Sequence, residues 1–416
     1  MKRPCTARSD PAARLRKRLP RRYRYVRLRW RAFFAVVDIL GGLLFGLFRF
    51  LAGPRVQVVP IPRRILVVQL DHLGDAILTT PLLEGLAACY PQATIEVLAG
   101  SANAGWFAML PSVKRIHVLE ANRFSREGRR GWVRAVFSCG LKMRARRFDL
   151  AIDVRGDFPV VVLMWLSGAR RRVGWDSGGG GFLLTDSSEY VPNRHEIDSR
   201  RALLGCIVPG IEPAKPAFVS VRRRFAASPI KTPYPTVLAH ISAGTEAKRW
   251  PAPYWRELVT MLDGNGVKVV LVGGTDALII RDHVCAGTVW TLVEDRVGRT
   301  DLSELARLAA SADAVVGADS AIVHLAAALG VPAVALFSGT NRSRQWRPRG
   351  KKITVLRHRT PCMPCHLEHC PMPEHACMKG IFPKAVFEAV VAAIQPTETT
   401  PVPKPASGPR PIILSH

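Results

Sequence analysis

Acidic residues are scarce in this chain: 32 Asp and Glu stand against 60 Lys and Arg in 416 residues, a formal charge of +28. Such an excess points to an anionic partner: nucleic acid, an anionic membrane surface or a phosphorylated substrate. Cysteines are also few. Nine are too few to staple a chain of this length, and Cys5, Cys89, Cys139, Cys206 and Cys285 stand apart from one another, as thiols do in a reducing compartment. Gly 33 and Pro 32 follow no triplet period, which excludes a collagen-like or wholly disordered chain. No 20–50-residue motif recurs, so solenoids and propellers are excluded. There is no GxxxxGK[ST] and no recognised DNA- or RNA-binding motif. With 48% hydrophobic residues the chain can instead bury a core spread over two or three globular domains.

The charge is unevenly placed. Residues 1–55 hold fifteen Lys and Arg against Asp10 and Asp38, so +13 of the charge precedes the first strand-like run. In Arg31–Arg49 the longest uncharged stretch is Ile39–Phe48, ten residues, where a bilayer span needs about 20. On a helix, Arg31, Asp38, Gly42 and Arg49 fall near one narrow face and the remainder is apolar. The expectation is a helix lying in the membrane interface, drawn also by its arginines to anionic lipid; the alternative is an irregular extension that packs on the domain or stays disordered, ahead of a span or a signal peptide. The location expected is cytoplasmic, peripheral on the inner membrane.

From Ile65 short apolar runs alternate with helical stretches. Ile65–Gln69, Thr94–Ala99, Arg115–Leu119 and Leu150–Val154 read as strands, with helices at Asp75–Tyr90 and Gly128–Arg146. Alternation over this length means a parallel sheet covered on both faces. Lys215–Pro235 interrupts the rhythm with prolines and three arginines and reads as a linker. The pattern then restarts, with strands at Thr236–His240, Val267–Val272, Ala314–Gly317 and Ala333–Phe337. The expected division is a leader at 1–60, a first Rossmann-like domain at 61–225, a second at 226–395, and a disordered Pro-rich tail at 396–416. The two α/β halves face a cleft.

Four segments carry chemistry. Gln69-Leu-Asp-His-Leu-Gly-Asp75 joins a strand to a helix and so faces the cleft; Asp75 can cap the helix or act as a general base, and spacing does not separate the two. His240-Ile-Ser-Ala-Gly-Thr-Glu-Ala-Lys248 ends a strand in a small-residue loop whose amides can cradle phosphate, with Ser242 inside it and Lys248 as a point charge. Gly317-Ala-Asp-Ser-Ala-Ile-Val-His324 offers Asp319, Ser320 and His324 at a helix start. Cys362, Cys365, Cys370 and Cys377 lie within sixteen residues and can form a tetrahedral structural metal site or a packed knuckle.

Taken in order, RRILVVQLDHLGDAILTTPLLEGLAACYPQATIEVLAG, FDLAIDVRGD with GARRRVGW, AKRWPAPYWRELV and VVGADSAIVHLAAALGVPAVALFSGT resemble glycosyltransferase family 9, the ADP-heptose:lipopolysaccharide heptosyltransferases. The Cys cluster resembles a feature of many members. The resemblance covers roughly residues 63–385 and implies a GT-B fold, with the acceptor held mainly by the first domain and the nucleotide sugar mainly by the second. It implies inverting transfer with no essential metal, from an ADP-sugar to a lipopolysaccharide core or similar glycolipid. By the same resemblance Asp75 matches the proposed base, while Ser242, Lys248, Asp319, Ser320 and His324 match donor-binding positions, with Ala321 where Gly is usual. Many members carry Arg or Lys and Ser where this chain has Gln69 and Asp71.

A carboxylate in the cleft would take the proton of the attacking hydroxyl, and Lys248 with helix-end amides would stabilise the departing diphosphate. Basic groups of the first half, Arg155 and Arg171 among them, are candidates to attract a phosphorylated acceptor. The alternatives are the same fold with a different nucleotide sugar, and an inactive scaffold suggested by Gln69 and Asp71. A nucleic-acid partner is not expected.

Overall fold

The computed structural model of the chain describes residues 23, 28–51, 61–119, 132–208, 218–226 and 233–395. The Pro-rich tail and the basic run before Leu28 other than Tyr23 lie outside these residues.

Among the described residues twelve strands form two six-stranded sheets. The first holds β1 Arg64–Gln69, β2 Thr94–Ala99, β3 Arg115–Val118, β4 Leu150–Asp153, β5 Arg171–Trp175 and β6 Asp186–Ser188, in the order β3-β2-β1-β4-β5-β6. The second holds β7 Thr236–His240, β8 Lys268–Val272, β9 Val293–Asp295, β10 Ala314–Ala318, β11 Ala333–Leu336 and β12 Ile353–Leu356, in the order β12-β11-β10-β7-β8-β9. Every pairing is parallel. Renumbered from its own first strand, the second sheet repeats the first: the dinucleotide-fold order appears twice, each time reversing direction between its first and fourth strands. The central strands read RILVVQ, LAID, TVLAH and AVVGA, continuous apolar runs with no polar alternation, because helices cover both faces.

The two halves share one apolar cluster. It runs from Ile65, Leu82 and Leu204 of the first half to Leu238, Ile322 and Val323 of the second. Three helices meet in it: Leu73–Cys89 after β1, Glu196–Ile207 after β6, and Ala321–Leu329 after β10. The expected linker contains a helix, Val219–Phe225, which turns Val221 inward and is fastened to both halves. Ser220 donates its backbone N–H to Glu84 of the first half at 2.8 Å, and Arg222 Nε donates to the Ala328 carbonyl of the second at 3.1 Å.

The leader helix is longer than its uncharged run suggests. It spans Leu28–Leu51, 24 residues, and its Leu28–Leu47 segment is long and apolar enough to cross a membrane. Its charge does not interrupt it because Asp38 is satisfied in place. Tyr23 Oη donates to Asp38 at 2.8 Å and the Gly180 amide donates at 2.6 Å. Phe34, Asp38, Gly41 and Phe45 form one stripe at helical spacing that docks on the first domain. Phe34 packs on Phe158, and Phe45 on Phe182. At Gly41 a Cβ would collide with the Phe182 ring, so only glycine lets the helix approach there. The opposite face leaves Phe33, Leu40, Leu43, Leu44, Leu47 and Phe50 exposed.

Candidate active site

A cavity of about 690 Å³ opens between the carboxyl ends of the two sheets. The first half lines it with Leu70–Asp75, the loop after β1, and with Gly100–Ala102 after β2; the second contributes His240 and Ser242–Gly244 after β7, Asp319–Ile322 after β10 and Asn341 after β11. This is where an open parallel sheet binds its ligands. Asp75, Ser242, Lys248, Asp319, Ser320 and His324, far apart in sequence, therefore share one wall-to-wall space.

Asp75 occupies the first turn of the Leu73–Cys89 helix but does not cap it. The N-cap is His72, whose side chain makes no capping bond, and the carboxylate turns instead to Arg200, with Nη2–Oδ1 at 2.9 Å. Burial raises the Asp75 carboxyl above its ordinary value, Arg200 pulls it back, and nearby Glu196 adds to the rise. A carboxylate made more basic while an arginine holds it in place is suited to receive a proton.

Gln69 and Asp71, which set this chain apart from many members of the resembled family, are both internally satisfied. Gln69 is fully buried; its amide donates to Thr79 Oγ1 at 3.1 Å and accepts from the Asp71 N–H at 3.0 Å. Asp71 is ion-paired with Arg155, which also holds Asp157. A guanidinium from the loop after β4 thus neutralises the extra carboxylate at the cavity mouth.

On the opposite wall Lys248 Nζ lies 2.9 Å from Asp319 Oδ2, and Asn341 donates to the same oxygen at 3.0 Å. Asp319 therefore aims the lysine and does not cap the Ala321–Leu329 helix. Ser320 stands at that helix's N-cap position, yet its hydroxyl makes no capping bond and is buried without a partner, as is His324 Nδ1. Burial drives the His324 imidazole down to about 4, so it is neutral near pH 7. Two unspent polar atoms, a helix N-terminus with free amides and a lysine converge on one end of the cavity, the arrangement that receives a phosphorylated ligand. His240 accompanies them, lying 3.0 Å from the Ser242 carbonyl through Nδ1 and 3.4 Å from its hydroxyl through Nε2.

Other expectations are corrected. Arg171, a candidate for the acceptor, is spent within the first domain: it forks onto Asp186 at 3.0 and 2.8 Å and donates to the Ile207 carbonyl at 2.9 Å, and it does not line the cavity. The four clustered thiols do not converge. Among the described residues no group of three His, Cys, Asp or Glu is placed to hold a metal ion. Cys377 is buried in the core of the second half beside Gly339, Cys362 is exposed next to Thr360, and Cys370 donates to the Met372 carbonyl. Of the two readings of the cluster, the structure describes a knuckle whose thiols differ in burial, from exposed Cys362 to buried Cys377.

Arg200, Glu196, His240 and Asn341 were not singled out from sequence. Arg200 belongs to His-Glu-Ile-Asp-Ser-Arg-Arg, where two adjacent arginines look alike and only the helix phase buries one of them.

Comparison with known proteins gives a consistent answer. Residues 136–376 match the profile of Glycosyltransferase family 9 (heptosyltransferase). Lipopolysaccharide heptosyltransferase 2 of Salmonella typhimurium is 25% identical over 318 residues, covering 71% of this chain and 88% of that protein. Lipopolysaccharide heptosyltransferase 1 of Pseudomonas aeruginosa is 28% identical over 330 residues, covering 74% and 87%. The fold matches that of E. coli ADP-heptose lps heptosyltransferase II at a TM-score of 0.62 and 23% identity, covering 80% of this chain and 98% of that one. It also matches E. coli heptosyltransferase WaaC with ADP at 0.64 and 19%, covering 79% and 99%.

Proposed function

The chain belongs to glycosyltransferase family 9, the heptosyltransferases, and from that premise we propose that it moves a heptose or related sugar from an ADP-sugar to a lipopolysaccharide core or similar glycolipid, with inversion. The carrying observation is the placement of Asp75 across one cavity from Lys248, Ser320 and His324. An acceptor hydroxyl oxygen attacks the anomeric carbon, the bond from that carbon to the diphosphate oxygen breaks, and its electron pair leaves with the nucleoside diphosphate. Asp75 takes the hydroxyl proton. Lys248 and the amides at the start of the Ala321–Leu329 helix meet the negative charge as it develops. Ser242, Asp319, Ser320 and His324 complete the donor end. On the first half the acceptor side is the loop after β1, where Asp71 is paired with Arg155.

The names of the relatives support the donor and acceptor classes. Melting curves with ADP, UDP, GDP and CDP, all at the same concentration on the order of millimolar, test the donor, because a nucleotide present at about 100 times its dissociation constant stabilises by roughly 2.7 kcal/mol. A rise confined to ADP supports an ADP-sugar. A rise with another nucleotide replaces the donor and keeps the fold.

The same reading puts the protein on the cytoplasmic face of the inner membrane, held by the leader helix lying in the interface. Its docked stripe keeps it along the domain, its exposed stripe is apolar, and the arginines before it suit anionic lipid. The scaffold alternative rested on Gln69 and Asp71; turnover abolished by Asp75→Ala would dismiss it.

A further inference from the structure

Resting on Asp75 as the base, we propose that Arg200 is the positioning residue for Asp75, aimed by Glu196, and that Gln345 from the second half anchors Glu196, so that the geometry of the base depends on contact between the halves. Arg200 is only 2% exposed. Its Nη2 reaches Asp75 at 2.9 Å and its Nη1 reaches Glu196 Oε2 at 3.1 Å, so one rigid fork spans two carboxylates. The other oxygen of Glu196 accepts from Tyr190 Oη at 3.0 Å and from Gln345 Nε2 at 2.7 Å.

Gln345 comes from the far side of the cleft. The strip that carries it is fastened to the start of the Glu196–Ile207 helix and the residues just before it by three further residue pairs. His195 Nε2 lies 2.8 Å from the Arg347 carbonyl, Arg349 forks onto Asp198 at 2.6 and 2.8 Å, and Arg342 donates to Asn193 at 2.7 Å. Separating the halves removes Gln345 from Glu196, and the orientation of Arg200, hence of Asp75, loses its support.

Two carboxylates, Glu196 buried and Asp75 half-buried at the cavity wall, share one guanidinium, and each would repel the other without it. The groups facing Asp75 are Arg200 and Glu196 from the Glu196–Ile207 helix, His72 from its own loop, and His324, Lys248 and Asp319 from the second half. Arg200 favours the ionised base and Glu196 opposes it. Their removal must therefore act in opposite directions, which a role in packing alone would not produce.

The test is the pH dependence of kcat/KM for the full chain and for Arg200→Lys, Glu196→Gln, Gln345→Ala and Asp75→Asn, each with a melting curve. Because the base works deprotonated, anything that raises its affinity for a proton moves the acidic limb to higher pH. Arg200→Lys, whose ammonium cannot span both carboxylates, should move the limb up and lower kcat by roughly tenfold to a hundredfold. Glu196→Gln should move it down. Gln345→Ala should lower kcat with KM for the ADP-sugar little changed. If Arg200→Lys fails to fold, the downward shift in Glu196→Gln and the kcat loss in Gln345→Ala still decide. Limbs that move together, or stay put while Asp75→Asn is inactive, overturn this proposal alone. Turnover surviving in Asp75→Asn overturns the base assignment and this proposal with it.

Discussion

Asp75→Asn should separate activity from stability. The replacement keeps shape and hydrogen-bonding reach but cannot take a proton. A general base contributes about 10²–10⁴ in rate, or roughly 2.7–5.4 kcal/mol of barrier at about 1.36 kcal/mol per tenfold, so kcat should fall by that range. Stability should behave differently. The folded carboxyl lies above its ordinary value, chiefly because burial penalises the charge. A group raised in this way contributes its full stability below its unfolded value and loses it as pH climbs through the folded one. At pH 7 the ionised Asp75 is thus a net cost, only partly offset by Arg200 at 2.9 Å. The Asn variant should melt at or above the wild-type temperature at pH 7, with the gap closing toward pH 4. Sugar transfer followed by nucleotide release, beside melting curves at the two pH values, provides the assay. A variant that melts several degrees lower at pH 7 would show that attraction to Arg200 outweighs burial. Turnover within tenfold of wild type would refute Asp75 as the base.

Three further outcomes are expected. Lys248→Ala should abolish the ADP-dependent rise in melting temperature and lower kcat by about 10²–10³, the usual cost of losing one donor to a developing anion; an intact ADP response would remove Lys248 from the donor site. His324, held at about 4 in the fold against an ordinary 6.5, binds fewer protons folded than unfolded between those values, so stability should drop by up to about 3 kcal/mol as pH falls from about 6.5 to about 4. Urea titrations across that window should show His324→Gln flattening this slope, and an unchanged slope would assign it to other groups. Gly41→Leu should push the leader helix off Phe182 and uncover Phe34, at a cost on the order of 1.5–3 kcal/mol for each large side chain exposed. Faster proteolysis of the helix should follow, with binding to anionic vesicles retained through its opposite face; an unaltered digestion rate would argue against docking.

Local information was enough for much of this molecule. The runs ILVV, VLAH and AVVG are buried strands because nothing polar interrupts them, and strand–helix alternation makes parallel sheets. A parallel sheet then sends the loops after its strands to one edge, so the loops holding Asp75, Ser242 and Asp319–Ser320 had to meet at a cleft. The leader was legible as amphipathic, but counting uncharged residues understated its length, since the fold satisfies Asp38 with Tyr23 and the Gly180 amide. The Cys spacing suggested a ligand set, and only the tertiary structure could show one thiol buried and another exposed, with no three placed to share a metal ion among the described residues.

What the sequence alone determined was the pair of α/β halves and the order of their motifs, which follow from hydrophobic period and residue spacing; the motifs themselves carried the resemblance to a family. Partnership was decided only in three dimensions. Whether Asp75 caps a helix or meets Arg200, whether Arg171 awaits an acceptor or is spent on Asp186, and whether Asp71 is a loose charge or the partner of Arg155 all depend on residues up to 125 positions away. A charge has the same composition wherever it lies; its work depends on what burial brings within about 3 Å of it, and that distance is set by tertiary packing.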